Sequence, residues 1–211
     1  MLSRTVFHSL LLLSMASSYT APEWYQIDAI AFSRLTANTI NAEQYPTITQ
    51  AITPYNNDIT LAPSSAVGED GCLHKYAQII QKNSDYELLG EYRWVLSTEQ
   101  LQKGQWLQVI PSNDDAQDQR LTGAIQVRLK KYFNFRVDVN LLVTHNKLRE
   151  LTSNKKLLSQ PYTYFNMDQN RRTKSGQINY LDHPLMGIIM QVTAVEQNRS
   201  QPDKTSPVAA D

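Results

Sequence analysis

The stretch Leu121-Thr122-Gly123-Ala124-Ile125-Gln126-Val127-Arg128-Leu129-Lys130-Lys131-Tyr132-Phe133-Asn134-Phe135-Arg136-Val137-Asp138-Val139-Asn140-Leu141-Leu142-Val143 decides the fold class. Its odd positions are apolar almost throughout, whereas Thr122, Gln126, Arg128, Lys130, Asn134, Arg136, Asp138 and Asn140 occupy even ones. A period of two is the pattern of a β-strand with one dry face and one wet face. At about 3.3 Å per residue, a straight strand of this length would outrun a small domain. The spacing therefore predicts a strongly bent strand, or two strands joined at a bulge near Lys131, the odd position that interrupts the apolar series.

Working outward, Tyr86 to Leu96 repeats the alternation, with Tyr86, Leu88, Gly90, Tyr92, Trp94 and Leu96 on one face and Glu87, Glu91 and Arg93 on the other. Trp24 to Phe32 is more continuously apolar, which predicts a central strand covered on both faces. Leu107–Ile110, Tyr162–Met167 and Gly187–Val195 complete a set of about six strands. One helix is predicted where Leu73, Tyr76, Ala77 and Ile80 share a helical face, and a second, short one after Ser97, with Gln100 placed to close a capping box. The fold class is α+β: mainly antiparallel sheet with one or two short helices. Trp24 and Trp94 are expected in the core.

Between these elements, residues 35–71 carry Pro46, Pro54 and Pro63 and read as a long excursion with one weak helical turn around 42–52. Residues 144–160 read as a polar connection, and 196–211, without large apolar side chains, as a disordered tail. Residues 1–18 are set aside as an export leader: Arg4 supplies the positive start and residues 6–15 an apolar run shorter than the roughly 20 residues a bilayer span needs. Cleavage near Ser18 would leave a single domain over 19–195 in the periplasm, without stable membrane insertion. No cysteine near that point offers a lipid acceptor.

Of the 211 residues, 41% are hydrophobic and 19% charged, with 20 basic against 20 acidic side chains, the composition of an ordinary globular domain. A balanced charge disfavours binding to nucleic acid. The single cysteine, Cys72, cannot form an intramolecular disulfide and is expected as a buried thiol at the start of the first helix.

Catalytic signatures are scarce. There is no GxSxG elbow, HExxH or phosphate-cradling glycine loop, and after the leader His74, His145 and His183 are the histidines available for acid–base work. No metal site or cofactor is expected. The distinctive local segment is Tyr180-Leu181-Asp182-His183-Pro184-Leu185-Met186-Gly187. Asp182 can accept backbone amides, the proline holds His183 extended, and the segment either fixes a turn or presents a ligand site. Upstream, Arg171 and Arg172 suit carboxylate recognition, or pairing with Asp182.

On these residues the sequence resembles the CsiV family of periplasmic peptidoglycan-binding proteins. The Trp24–Phe32 strand, the Trp-ending Tyr92-Arg93-Trp94 and the Leu121-Thr122-Gly123 strand match its pattern. The family's Arg-Tyr-Leu-His element stands here as Lys131-Tyr132-Phe133-Asn134. Its C-terminal signature is kept at Arg171, Arg172, Tyr180, Asp182, His183, Pro184 and Gly187, with Gln177, Ile178 and Asn179 where Glu, Leu and His are usual. The resemblance implies a non-enzymatic adaptor that binds peptidoglycan and supports cell-wall synthesis through an outer-membrane lipoprotein activator of a class A penicillin-binding protein. Arg171, Arg172, Asn179, Tyr180, Asp182 and His183 are the candidate ligand-binding residues. The alternatives are a wall-modifying hydrolase using His183 with Asp182, and an envelope assembly or chaperone module.

Overall fold

The alternating stretch folds as a hairpin in the computed structural model, which describes residues 22–46, 60–63, 72–110 and 118–195. Strand β5 (Gln119–Leu129) ends where the apolar series breaks, and β6 (Phe133–Thr144) runs back antiparallel to it. The break near Lys131 is thus a reversal of the chain, not a bulge in a continuing strand. Leu129 pairs with Phe133, Val127 with Phe135 and Leu121 with Leu141, so odd residues face odd residues. A three-residue turn preserves parity. One dry face therefore reads uninterrupted through two strands of opposite direction.

The described elements, in order, are β1 (Trp24–Ser33), α1 (Ala37–Ala42), β2 (Thr60–Leu61), α2 (His74–Gln81), β3 (Glu87–Ser97), α3 (Thr98–Lys103), β4 (Gln105–Val109), β5, β6, α4 (His145–Leu151), β7 (Tyr162–Thr173), β8 (Ile178–His183) and β9 (Met186–Val195). They form a four-stranded sheet, β3-β1-β9-β8, and a five-stranded sheet, β2-β4-β5-β6-β7. All pairings are antiparallel except the short β2–β4 pair. The predicted α+β class, mainly antiparallel with few short helices, is what the chain adopts, with nine described strands where about six were expected.

Burial explains the pairing. Ile125, Val127, Phe135, Val137 and Leu141 from one sheet join Ile27, Trp94, Leu96, Ile188 and Met190 from the other in a single cluster. The sheets face each other across that core, as two half-wet sheets must to bury their dry faces. Strand β1 lies between β3 and β9, with its second face covered where Ile30 and Phe32 meet Leu73, Ala77 and Ile80 of the α2 segment. The predicted double coverage of this strand holds. Trp94 is 1% exposed, while Trp24 is half-buried. Cys72 is exposed, contrary to expectation. The buried stripe of α2 begins at Leu73, and a neighbouring position turns about 100° away from it.

Local signals behave as their chemistry requires. Ser97 accepts from the Gln100 amide at 3.2 Å while the Gln100 side chain accepts from the Ser97 amide at 2.9 Å, the capping box read from sequence. Gly123 has φ +141, and a Cβ there would lie 2.4 Å from the Asp138 carbonyl oxygen and 2.6 Å from Val139 Cα. Only glycine lets β5 approach β6 this closely. The predicted polar connection after β6 contains α4, capped by Thr144 and anchored by Leu148. Helix α1 ends at Ala42, where the weak turn was expected to begin; residues 47–52 of that turn lie outside the described residues, as do the predicted leader and tail. No helix among the described residues is long and apolar enough to cross a membrane.

Candidate functional site

The Tyr180–Gly187 segment is the β8–β9 hairpin, with Pro184 and Leu185 forming the turn. Arg34, just past the end of β1, grips it. The Arg34 Nε donates to the His183 and Pro184 carbonyls at 3.1 and 3.0 Å, and Nη2 donates to the His183 carbonyl at 2.7 Å and to Asp182 Oδ1 at 2.6 Å. Its own backbone amide donates to the Leu185 carbonyl at 2.9 Å. A planar guanidinium suits this task, because several donors leave it in one plane.

Tyr180 donates its hydroxyl to the same Asp182 oxygen at 2.6 Å, and its ring lies nearly parallel to Phe32 with centroids 6.2 Å apart. Burial, then the bond to Asp182, push the Tyr180 hydroxyl up to about 12. Gly187 makes room for the pair: a Cβ there would stand 2.6 Å from the Phe32 ring and 2.7 Å from that of Tyr180. His183 accepts the Leu185 amide through Nδ1 at 3.2 Å, which puts the hydrogen of the neutral ring on Nε2. Burial, outweighing Glu43, holds its pKa below the ordinary histidine value. Asp182 and His183 thus hold a hairpin in shape.

The two arginines part company. Being adjacent in β7, they point to opposite faces of the sheet. Arg171 shares the side of Phe165 and Met167, while Arg172 joins the wet face, its guanidinium 4.7 Å from the Tyr132 ring centroid. Asp182 is paired with Arg34, so the predicted alternative of an Arg171 or Arg172 pair with Asp182 is not formed. Asn179 donates to Thr173 Oγ1 at 2.8 Å, and the Gln169 side chain donates to the Asp182 carbonyl, two bonds that seam β8 to β7. The six predicted residues therefore fall into a corner (Tyr180, Asp182, His183), a seam (Asn179) and two opposite faces of β7 (Arg171 and Arg172).

That face is the wet side of the five-stranded sheet. Gln126, Arg128, Lys130, Asn134, Arg136 and Asn170 line a shallow, open depression of about 220 Å³. A second, of about 230 Å³, is lined by Tyr132, Arg172, Lys174 and Gln177, and Asn134 pairs across the strands with Arg172 between them. The Arg136 guanidinium sits 6.0 Å from the Trp106 ring centroid and donates one bond, to Asp168 at 3.3 Å. Arg128 donates one, to the Lys103 carbonyl at 3.2 Å. The Nε groups of both are buried without a hydrogen-bond partner among the described residues. Beneath them Asp138 is held by Asn166 at 3.1 Å, its carboxyl pushed up by burial. Arg128, Arg136, Tyr132, Trp106 and Asn170 were missed as site residues from sequence. The signal for three of them was present in the even positions of the alternating stretch.

Shallow depressions, guanidinium forks, amides and aromatic rings on an open sheet define a surface suited to an extended polar ligand more than to an enclosed small molecule. A family model described as CsiV, a peptidoglycan-binding protein, matches residues 65–195, more than half of the 211. The chain belongs to this family. Comparisons with the curated proteins and with the solved structures give no match.

Proposed function

We propose that the chain is an exported periplasmic protein that binds peptidoglycan through the wet face of the five-stranded sheet and catalyses no reaction on it. The observation that carries this reading is the gathering of Arg128, Arg136 and Arg172 with Trp106 and Tyr132 on one open face of a CsiV-family member. Peptidoglycan offers sugar rings whose apolar faces pack on aromatics, amides that pair with Asn and Gln, and carboxylates that pair with arginine. The engagement of Asp182 and His183 in the hairpin grip supports binding over hydrolysis, since both are already committed to bonds that shape the turn. The leader read in residues 1–18 supports export.

The finer part of the reading is an adaptor role. The bound protein would support wall synthesis through an outer-membrane lipoprotein activator of a class A penicillin-binding protein. Ile178 and Tyr180 on β8 and Tyr86 just before β3, exposed to 46, 42 and 37%, leave apolar surface for a protein partner while the other sheet holds the wall. The test of wall binding is co-sedimentation of the mature protein with purified sacculi. Recovery in the pellet is expected; a protein that stays in the supernatant while a known wall binder pellets would end the reading. Polymerisation by the synthase with its activator should rise on adding the protein, and an unchanged rate would remove the adaptor role alone.

A further inference from the structure

We infer that the wet face of the five-stranded sheet recognises the free carboxylates of peptidoglycan stem peptides, and not the glycan strand itself. This deepens the reading above and rests on it.

The argument starts from charge. In peptidoglycan the lactyl carboxyl of the muramic acid sugar is tied up in an amide to the stem peptide, so the polymer's anionic groups are the carboxylates of those peptides. A site for the sugars alone would need rings, hydroxyls and amides. The face instead concentrates Arg128, Lys130, Arg136 and Arg172 around Asn134 and Gln126, and its exposed carboxylate among the described residues at this end of the sheet is Asp168. The overall charge of the chain is zero, so this is a local excess, not a reflection of composition.

These arginines are also poorly employed. A guanidinium carries five N–H donors. Arg128 and Arg136 each donate a single bond among the described residues, and Arg172 makes a contact over the Tyr132 ring with none. Arg34, by contrast, makes four bonds with its guanidinium and holds a turn. Leaving a buried N–H unmade destabilises a fold, and the Nε groups of Arg128 and Arg136 are both in that condition. The guanidinium donors these arginines leave unused can take a carboxylate in the bidentate geometry that guanidinium favours.

Spacing fits more than one carboxylate. Arg128 and Asn134 pair across the β5–β6 hairpin, and Asn134 pairs with Arg172 across β6–β7, so Arg128 and Arg172 flank Asn134 in three neighbouring strands. Neighbouring strands are about 4.8 Å apart. Cations about two strands apart match carboxylates on one branched peptide, while Tyr132 and Trp106 at the rims contact its apolar parts.

The experiment uses the mature protein and three probes: intact sacculi, glycan strands stripped of peptide by an amidase and then amidated at the lactyl carboxyls that this cleavage frees, and a soluble stem tetrapeptide with its carboxylates either free or amidated. Wild type should pellet with intact sacculi and bind the stripped strands at least about tenfold more weakly, as expected when charge-assisted bonds dominate. The free tetrapeptide should compete and its amidated form should not. Raising salt from about 0.05 to about 0.5 M should weaken binding several-fold through screening. The Arg128→Gln/Arg136→Gln/Arg172→Gln variant, with its melting checked against wild type, should lose the preference for intact sacculi. Equal binding of wild type to intact and stripped wall, or equal competition by both peptides, overturns the inference and leaves general wall binding standing. Failure of wild type to pellet with intact sacculi removes both. Competition by the two peptides is measured on wild type alone, so it decides between carboxylate and glycan recognition even if the triple variant misfolds.

Discussion

Replacing Arg34 by alanine tests whether the Asp-His-Pro corner is a clamp. Its guanidinium serves two backbone carbonyls and one carboxylate, and its side chain is 27% exposed against 55% for Asp182. At that exposure the ion pair contributes under about 1 kcal/mol. Bonds from a charged donor to half-buried carbonyls are worth about 1.5 kcal/mol or more each. Together these give about 3 kcal/mol, and for a protein of this size each kcal/mol moves the midpoint by about 2–4 °C, so Arg34→Ala should melt about 6–12 °C below wild type. Thermal unfolding followed by circular dichroism reads this directly. Arg34→Lys keeps the charge without the planar fork and should recover less than half of the loss, and Asp182→Asn should cost under about 1 kcal/mol. If Arg34→Ala melts within about 2 °C of wild type, or Asp182→Asn costs as much as Arg34→Ala, the carbonyl grip is not what holds the corner.

Gly123→Ala drives a methyl into the β6 backbone at a positive φ and should cost several kcal/mol, seen as insoluble expression or a large fall in urea midpoint; a soluble variant with a wild-type midpoint would contradict the close approach. Tyr92→Phe removes a buried hydroxyl that has no partner among the described residues, so stability should stay level or rise by about 1 kcal/mol in denaturant titration. His183 has its pKa lowered by burial, so between that value and 6.5 the unfolded chain binds more protons than the folded one. Stability contributed by His183 is therefore lost as pH falls through that window, and His183→Gln should flatten the decline in melting temperature between about pH 7.5 and about pH 5 relative to wild type.

Much of the architecture was legible because it rests on periodicity. The odd-numbered apolar positions of β5 and β6 named the core face, and Trp94, Tyr92 and Leu96 named that of β3. Parity hid the reversal: with an odd turn, a hairpin and a bent strand have the same alternation, and Lys131 marked only that something changed. Strand β8 was missed for a different reason. It buries Leu181 alone, with Ile178, Tyr180 and Asp182 outward, so no dry stripe announces it. The site was half-legible. Asp182, His183 and Tyr180 were singled out by local chemistry, but their partner Arg34 lies about 150 residues away, and no short-range pattern links the two. Arg128 and Arg136 were visible as the wet half of the alternation, yet solvated faces carry charge routinely, and only the fold reveals that these meet Arg172 and Trp106.

The placement of β1 has a consequence for how the molecule can be divided. The segment that the family model matches begins at residue 65, yet the strand at 24–33 runs between β3 and β9 and pairs with both along its whole length. Cutting at the family boundary would remove the plank that joins two halves of one sheet and would take Arg34 with it. The earliest described strand also cannot gain its second neighbour until the final one, up to Val195, has been made, so this polypeptide must finish before it can close.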